Sequence, residues 1–204
     1  MINIAISMRL SSAVGYKERR DSIARDWPKY FQKEFEGCNY LFLPNIENNI
    51  VEYLNNWSIN VIILSGGEDI GVYPERDNTE ISIINYGLDN KIPIIGICRG
   101  MQLINSFYGG RTISNDLEFS KKHTSTQHLI EFKSKFFEVN SFHKNRIDEN
   151  FLNKSLEVYA RCSEDKSIEG FRNKDVLCMM WHPERELDYK TWNTKLIKEF
   201  IYQK

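Results

Sequence analysis

The sequence predicts an α/β protein with a mostly parallel central sheet, flanked by helices and continued by an antiparallel extension. Three patterns predict it. In the first half, short uninterrupted apolar runs alternate with helical periodicity. A strand that is apolar on both faces needs a helix layer on each side, the environment of a parallel sheet. From Gln127 onward the strand candidates alternate only in part and are separated by polar turns, as antiparallel strands are. At the end, residues 189–202 place Trp192, Leu196, Ile197 and Phe200 on one side of an amphipathic helix that packs back on the sheet.

The elements follow in order. A strand over residues 2–7 (Ile-Asn-Ile-Ala-Ile-Ser) precedes a helix over 27–36, a strand over 40–43 and a helix over 46–56. The run Val61-Ile62-Ile63-Leu64 is the next strand; a helix over 78–88, a strand over 92–97 and a helix over 101–108 complete the parallel half. The extension comprises strands over 127–132, 136–140, 155–162, 167–171 and 176–181. Residues 8–21 make a long polar connection after the first strand, read either as a solvated loop or as a lid reaching over the sheet edge.

Composition narrows the function classes. At 204 residues, 41% hydrophobic and 27% charged, the chain is read as one globular domain, 1–204, and collagen-like, coiled-coil and disordered classes are excluded. No repeat or linker is apparent. Twenty-seven basic and 28 acidic side chains leave a net charge of −1, without the broad positive field of a nucleic-acid binder. The opening residues lack a signal-peptide pattern, and no window reaches ~18 uninterrupted apolar residues. The expectation is a cytoplasmic protein without membrane or nucleic-acid partners. Cys38, Cys98, Cys162 and Cys178 show neither CxxC nor zinc-finger spacing; neither a metal site nor a disulfide framework is expected.

Chemistry concentrates at Gly96-Ile97-Cys98-Arg99-Gly100, where a buried strand runs directly into a helix. This is the glycine bracketing of a nucleophile elbow. In so tight a turn, side chains two positions either side of the nucleophile would collide, and glycines at 96 and 100 remove them. A cysteine at a helix N-terminus meets free N–H groups and a partial positive charge that favour the thiolate. The N–H of Arg99 is then available to a developing oxyanion. Of the four histidines, His182 stands out: it follows an apolar strand in Trp181-His182-Pro183-Glu184, at the strand end where parallel sheets keep their sites. Glu184, two residues on, is placed to orient the imidazole. Gly66-Gly67, after another strand, lets backbone N–H groups approach a substrate closely.

These residues resemble the class I glutamine amidotransferase superfamily, in particular its free-standing γ-glutamyl hydrolases of the peptidase C26 type. Five motifs in the family's order carry the resemblance: 65–69 with Tyr73-Pro74 and Arg76-Asp77, 93–102, 139–143, 167–170 and 182–184. The resemblance implies a flavodoxin-like core, a Cys98-His182-Glu184 triad and an oxyanion hole from the Gly67 and Arg99 backbones. It further implies that Gly66, Gln102, Ser141, Phe142 and His143 hold the γ-glutamyl group, and that no cofactor is needed. His143 matches a position of variable role and reads equally as a structural loop histidine. His123 and His128 match no family position and are read as surface or sheet residues.

The implied reaction is hydrolysis of a γ-glutamyl amide, on a small-molecule substrate, with no protein partner required. The resemblance extends to members whose leaving group is bulky, anionic and nucleotide-linked, which implies cationic groups near the nucleophile. Arg9, Lys17, Arg19, Arg20 and Arg76 are the candidates; Arg76 reads equally as a partner of Asp77 or Glu80 holding a loop together. Two alternatives stay open: a glutaminase that feeds ammonia to a separate synthetase as its subunit, and a non-catalytic binding module on the same fold.

Overall fold

The computed structural model describes residues 1–114, 116–186 and 191–202, with the side chain of Thr191 excluded. In chain order the elements are β1 (Asn3–Ser7), β2 (Arg9–Ser12), β3 (Arg19–Ser22), α1 (Asp26–Glu34), β4 (Asn39–Leu43), α2 (Ile50–Asn55), β5 (Val61–Leu64), α3 (Pro74–Asp89), β6 (Ile94–Ile97) and α4 (Arg99–Phe107). They continue as α5 (Leu117–His123), β7 (Thr124–Phe132), β8 (Lys135–Phe142), β9 (Glu157–Cys162), β10 (Ile168–Arg172), β11 (Val176–Met179) and α6 (Thr191–Tyr202).

The main sheet has nine strands in the order β4-β1-β5-β6-β11-β10-β9-β7-β8. From β4 through β11 neighbouring strands run parallel; from β11 to β8 every pairing is antiparallel. The expected parallel core with its antiparallel extension is therefore present. Alternate residues of β1 show why the apolar runs are continuous. Ile4 and Ile6 enter one hydrophobic cluster with Trp27, Tyr30 and Phe31 of α1 and Leu196, Ile197 and Ile201 of α6. Ala5 enters the opposite cluster with Ile50 and Leu54 of α2, Ile83 and Ile84 of α3, and Met101 and Ile104 of α4. Both faces of the sheet are dry at β1, β5 and β6.

Three features differ from the sequence expectation. Residues 8–21 contribute a two-stranded antiparallel ribbon, Arg9 opposite Ser22 and Ser12 opposite Arg19, a pairing without the apolar alternation that would announce it. Helix α3 begins at Pro74 rather than 78, with proline in its first turn; its early residues Arg76, Asp77 and Glu80 are buried yet charged, which hides the helical period. Helix α5 has no counterpart among the expected elements, and its start is fixed by the Asp116 carboxylate accepting the Phe119 N–H at 3.0 Å. The terminal helix packs as expected, although its expected start at residue 189 lies outside the described residues.

Candidate active site

Three adjacent parallel strands, β5, β6 and β11, end at the same edge of the sheet and deliver the three parts of the site. Their register is direct: Gly96 pairs with Leu64 on one side and Cys178 on the other.

Cys98 caps α4 with φ 52° and ψ −105°, a conformation that non-glycine residues rarely adopt. Its N–H donates to the Met179 carbonyl at 2.8 Å, which locks the elbow to β11. Both flanking glycines are sterically required. A Cβ at Gly100 would lie 2.2 Å from the Leu64 carbonyl oxygen, and one at Gly96 would lie 2.7 Å from Ile104 Cδ1 and 2.9 Å from the Gly100 carbonyl carbon. The helix thus starts against the backbone of β5, and Cys98 remains 7% exposed at the floor of a pocket shared with Gly67, Gln102, Phe142 and His143.

His182 follows β11, and its Nδ1 lies 2.7 Å from Glu184 Oε1 across a single turn. The backbone is clamped from the far end of the sheet. Asn140 of β8 accepts the His182 N–H at 2.9 Å and donates to the His182 carbonyl at 2.8 Å. Nothing in the spacing of Asn140 singles it out; only the family motif around it points to this stretch. The opposite edge of the ring faces the glycine loop and the thiol: a Cβ on Gly66 would sit 2.7 Å from His182 Cε1 and 3.6 Å from Cys98 Cβ. Burial disfavours the imidazolium, but the Glu184 charge, the Cys98 charge and hydrogen bonds to both outweigh it and raise the His182 pKa to about 9.

The glycine loop is built on a buried ion network whose members Arg76, Asp77 and Arg99 lie in the sequence motifs, while Glu80 and Ser7 lie outside them. Gly67 has φ +146°, and a Cβ there would lie 2.2 Å from Arg76 Nη1. The Arg76 guanidinium, fully buried, donates to the carbonyls of Ser65 and Gly66 at 3.0 Å each and to Glu80 Oε1 at 3.0 Å. Glu80 also pairs with Arg99, which reaches Asp77 in turn, and accepts from Ser7 Oγ at 2.7 Å. Burial works against the charge on Glu80, yet Arg76, Arg99 and Ser7 together hold its pKa below the usual carboxylate value. The network welds the glycine loop (65–67), the elbow (Arg99) and α3 into one unit.

The remaining expected site residues divide. Phe142 stands edge-on to the His182 ring at 5.8 Å, and Gln102 lines the pocket with its amide donating to Met180 Sδ at 3.7 Å. His143 also lines the pocket, but its Nδ1 is tied to the Asn145 carbonyl at 2.9 Å, and burial lowers its pKa. Ser141 turns away, donating to the His123 carbonyl at 2.6 Å, so only its backbone is left for a substrate. Among the expected cations, Arg76 is sealed beneath the loop as a partner of Glu80 and Glu68, which removes it as a leaving-group contact. Arg9 pairs with Glu68 beside Gly67, Arg19 with Glu75 at the start of α3, and Arg20 with Glu18 inside the ribbon; Lys17 is exposed. Lys144, which no sequence motif marks, lines the pocket and pairs with Asp69 at 2.7 Å.

The fold and the elbow together define the class: an α/β protein with a cysteine at a tight strand-to-helix turn and a histidine–carboxylate pair just after the neighbouring strand. The glutamine amidotransferase class-I family model matches residues 33–204, and the chain belongs to that family. It is 32% identical over 209 residues, covering 97% of this chain and 96% of the relative, to the γ-glutamyl-CDP-amidate hydrolase of Campylobacter jejuni. It is also 35% identical to one subunit of the glutamine-hydrolysing GMP synthase of Methanococcus vannielii, over 67% of this chain and 70% of that one. A crystal structure of a glutamine amidotransferase from Thermotoga maritima superposes with TM-score 0.62 at 14% identity, covering 99% of this chain and 82% of that one, a likeness of fold. Among the described residues no helix is long and apolar enough to cross a membrane.

Proposed function

We propose that the chain, acting as a single domain, is a cysteine-dependent γ-glutamyl hydrolase, and that its substrate is γ-glutamyl-CDP-amidate, cleaved to L-glutamate and cytidine diphosphoramidate in the modification of capsule polysaccharide. The observation that carries the reading is the meeting of Cys98, the His182–Glu184 pair and Gly66-Gly67 at one strand edge. The full-length relative supports the choice of leaving group.

In this reading His182, with its pKa raised to about 9, holds the proton of the Cys98 thiol and leaves a thiolate. The sulfur attacks the γ-carbonyl carbon, and the carbonyl oxygen takes up the electron pair as an oxyanion between the Gly67 and Arg99 N–H groups. When the C–N bond breaks, His182 transfers its proton to the departing nitrogen, leaving a γ-glutamyl thioester. Water then attacks the thioester carbon, its proton passes to His182, the C–S bond breaks and glutamate leaves. Glu184 keeps the ring in one orientation throughout. Gln102, Phe142 and the backbone at Ser141 hold the glutamyl end, Lys144 lines the pocket, and Arg9 lies beside Gly67.

The Cys98→Ala variant tests the nucleophile: γ-glutamyl release falls by ~10⁴-fold or more while circular dichroism is unchanged, and retained turnover refutes the assignment. Comparing kcat/KM for γ-glutamyl-CDP-amidate, glutamine and simple γ-glutamyl amines tests the substrate; equal values remove the nucleotide claim and keep the hydrolase. The match to one component of a glutamine-hydrolysing GMP synthase supports one competing reading, a glutaminase serving a separate synthetase. That reading requires glutamine hydrolysis to rise when such a synthetase is added.

A further inference from the structure

The antiparallel extension holds a second cluster of reactive side chains that this chemistry does not use. His123 at the end of α5, His128 on β7 and His143 after β8 each offer one ligand nitrogen, and the three lie within 4.8 Å of one another. Glu169 on β10 stands against two of them: Oε2 is 3.4 Å from His128 Nε2 and Oε1 is 3.5 Å from His143 Nε2. The side chains are 2%, 9%, 1% and 1% exposed for His123, His128, His143 and Glu169.

The cluster is unsatisfied in a specific way. Both nitrogens of His128, Nε2 of His143 and Oε2 of Glu169 are buried without a hydrogen-bond partner. Nδ1 of His143 donates to the Asn145 carbonyl at 2.9 Å, so in the neutral ring Nε2 carries a lone pair, and that lone pair faces a carboxylate. Acceptor facing acceptor, out of water, is unfavourable unless a cation lies between them. His123 is held in a complementary state. Its Nε2 lies 2.8 Å from Asp165 Oδ2, its Nδ1 lies 3.5 Å from Ser141 Oγ, and its ring stacks on Phe119 at 3.9 Å. A carboxylate behind one imidazole and a backbone carbonyl behind another are the outer partners that orient metal-bound histidines.

We propose that His123, His128, His143 and Glu169 form a binding site for a divalent first-row transition-metal ion, with zinc the ion best suited. Imidazole and carboxylate ligands suit such ions. Ligands bound ~2.0–2.1 Å from a tetrahedral zinc stand about 3.4 Å from one another; Glu169 presents Oε2 to His128 at 3.4 Å and Oε1 to His143 at 3.5 Å, so binding through one oxygen needs the carboxylate to turn. Three nitrogens and one oxygen close the coordination sphere, so the ion is structural. It ties α5, β7, β8 and β10 together one residue from Phe142, in the wall of the Cys98 pocket. A surface depression lined by His123, His128 and Cys162, none of which lines the Cys98 pocket, gives the ion a route in. The four residues come from four elements at irregular spacing, so no ligand motif marks them in the sequence, and the expectation of no metal site rests on cysteine spacing alone.

Metal-free protein titrated with Co²⁺ should take up one equivalent and develop the visible d–d bands of a tetrahedral site without thiolate charge transfer, and Zn²⁺ should displace it and raise the Tm. The signal should survive Cys98→Ser, weaken roughly 10–100-fold in Asp165→Asn, an outer partner, and weaken further in His128→Ala. In the wild-type protein, one equivalent of Zn²⁺ should move the imidazole ¹⁵N shifts of three rings and leave His182 in place, a readout independent of whether the variants fold. No uptake, uptake lost in Cys98→Ser, or uptake unchanged in His128→Ala overturns the proposal. None of these outcomes bears on γ-glutamyl release, which the Cys98→Ala assay reads separately.

Discussion

The proton shared between Cys98 and His182 governs the proposed chemistry, and the side chain that sets its position is Glu184. Removing the Glu184 charge takes away the largest influence raising the imidazole pKa, while the burial that opposes it stays. In the wild type, kcat/KM for a γ-glutamyl substrate should fall as pH rises through about 9, because the leaving nitrogen then lacks its proton donor. In Glu184→Gln that alkaline limb should move to lower pH and kcat should drop by about 10²–10⁴-fold, the cost of losing the orienting carboxylate. A limb that stays in place would show that Glu184 does not control the ring. The glycines act at the same scale: Gly67→Ala combines a disfavoured φ of +146° with a clash against buried Arg76, so it should lower activity more than the loss of any exposed cation in the ribbon.

Elements are held in register here by charges as much as by apolar packing. Arg76 and Glu80 of α3, Arg99 of α4 and Ser7 of β1 meet beneath the glycine loop, where water is excluded. Glu80→Gln keeps the shape and leaves two buried guanidinium groups short of a counter-charge. The expected loss is about 3–5 kcal/mol in denaturant unfolding, and a change under about 1 kcal/mol would mean that the network is not what joins α3 to the elbow. The same network marks where the sequence becomes illegible. Strands β1, β5 and β6 and the elbow are readable because burial on both faces and the glycine bracket leave local patterns. The helix expected over 78–88 falls four residues short of the start of α3 because buried charges look like a solvated surface. Ser141, expected at the glutamyl group, instead faces the His123 carbonyl, since a residue on a strand faces one side or the other and motif matching does not say which. The ribbon of β2 and β3 and the Asn140 clamp depend on long-range pairing, which leaves no periodic trace.

Across the whole molecule, the strand order converts three distant stretches, 65–67, 96–100 and 182–184, into neighbours, and the antiparallel extension returns through Asn140 to fix the last of them. Folding therefore builds the site and commits its ionisable groups at once, which ties stability to pH. Glu80 has its pKa lowered in the folded state, so its contribution is complete above the ordinary value of 4.5 and is lost as pH falls below it. His182 is shifted the other way. Taken alone, its contribution is complete below the ordinary value of 6.5 and is lost as pH rises from there through about 9. Urea midpoints should fall as pH drops toward and below ~4.5 yet stay level from pH ~6.5 to ~9, because a proton that passes from Cys98 to His182 is not taken up from solvent on folding. A wild-type midpoint that falls steadily from pH ~6.5 to ~9.5 would mean that His182 takes up its proton from solvent on folding rather than from Cys98, and the thiolate–imidazolium pair at the centre of the proposed mechanism would fall with it.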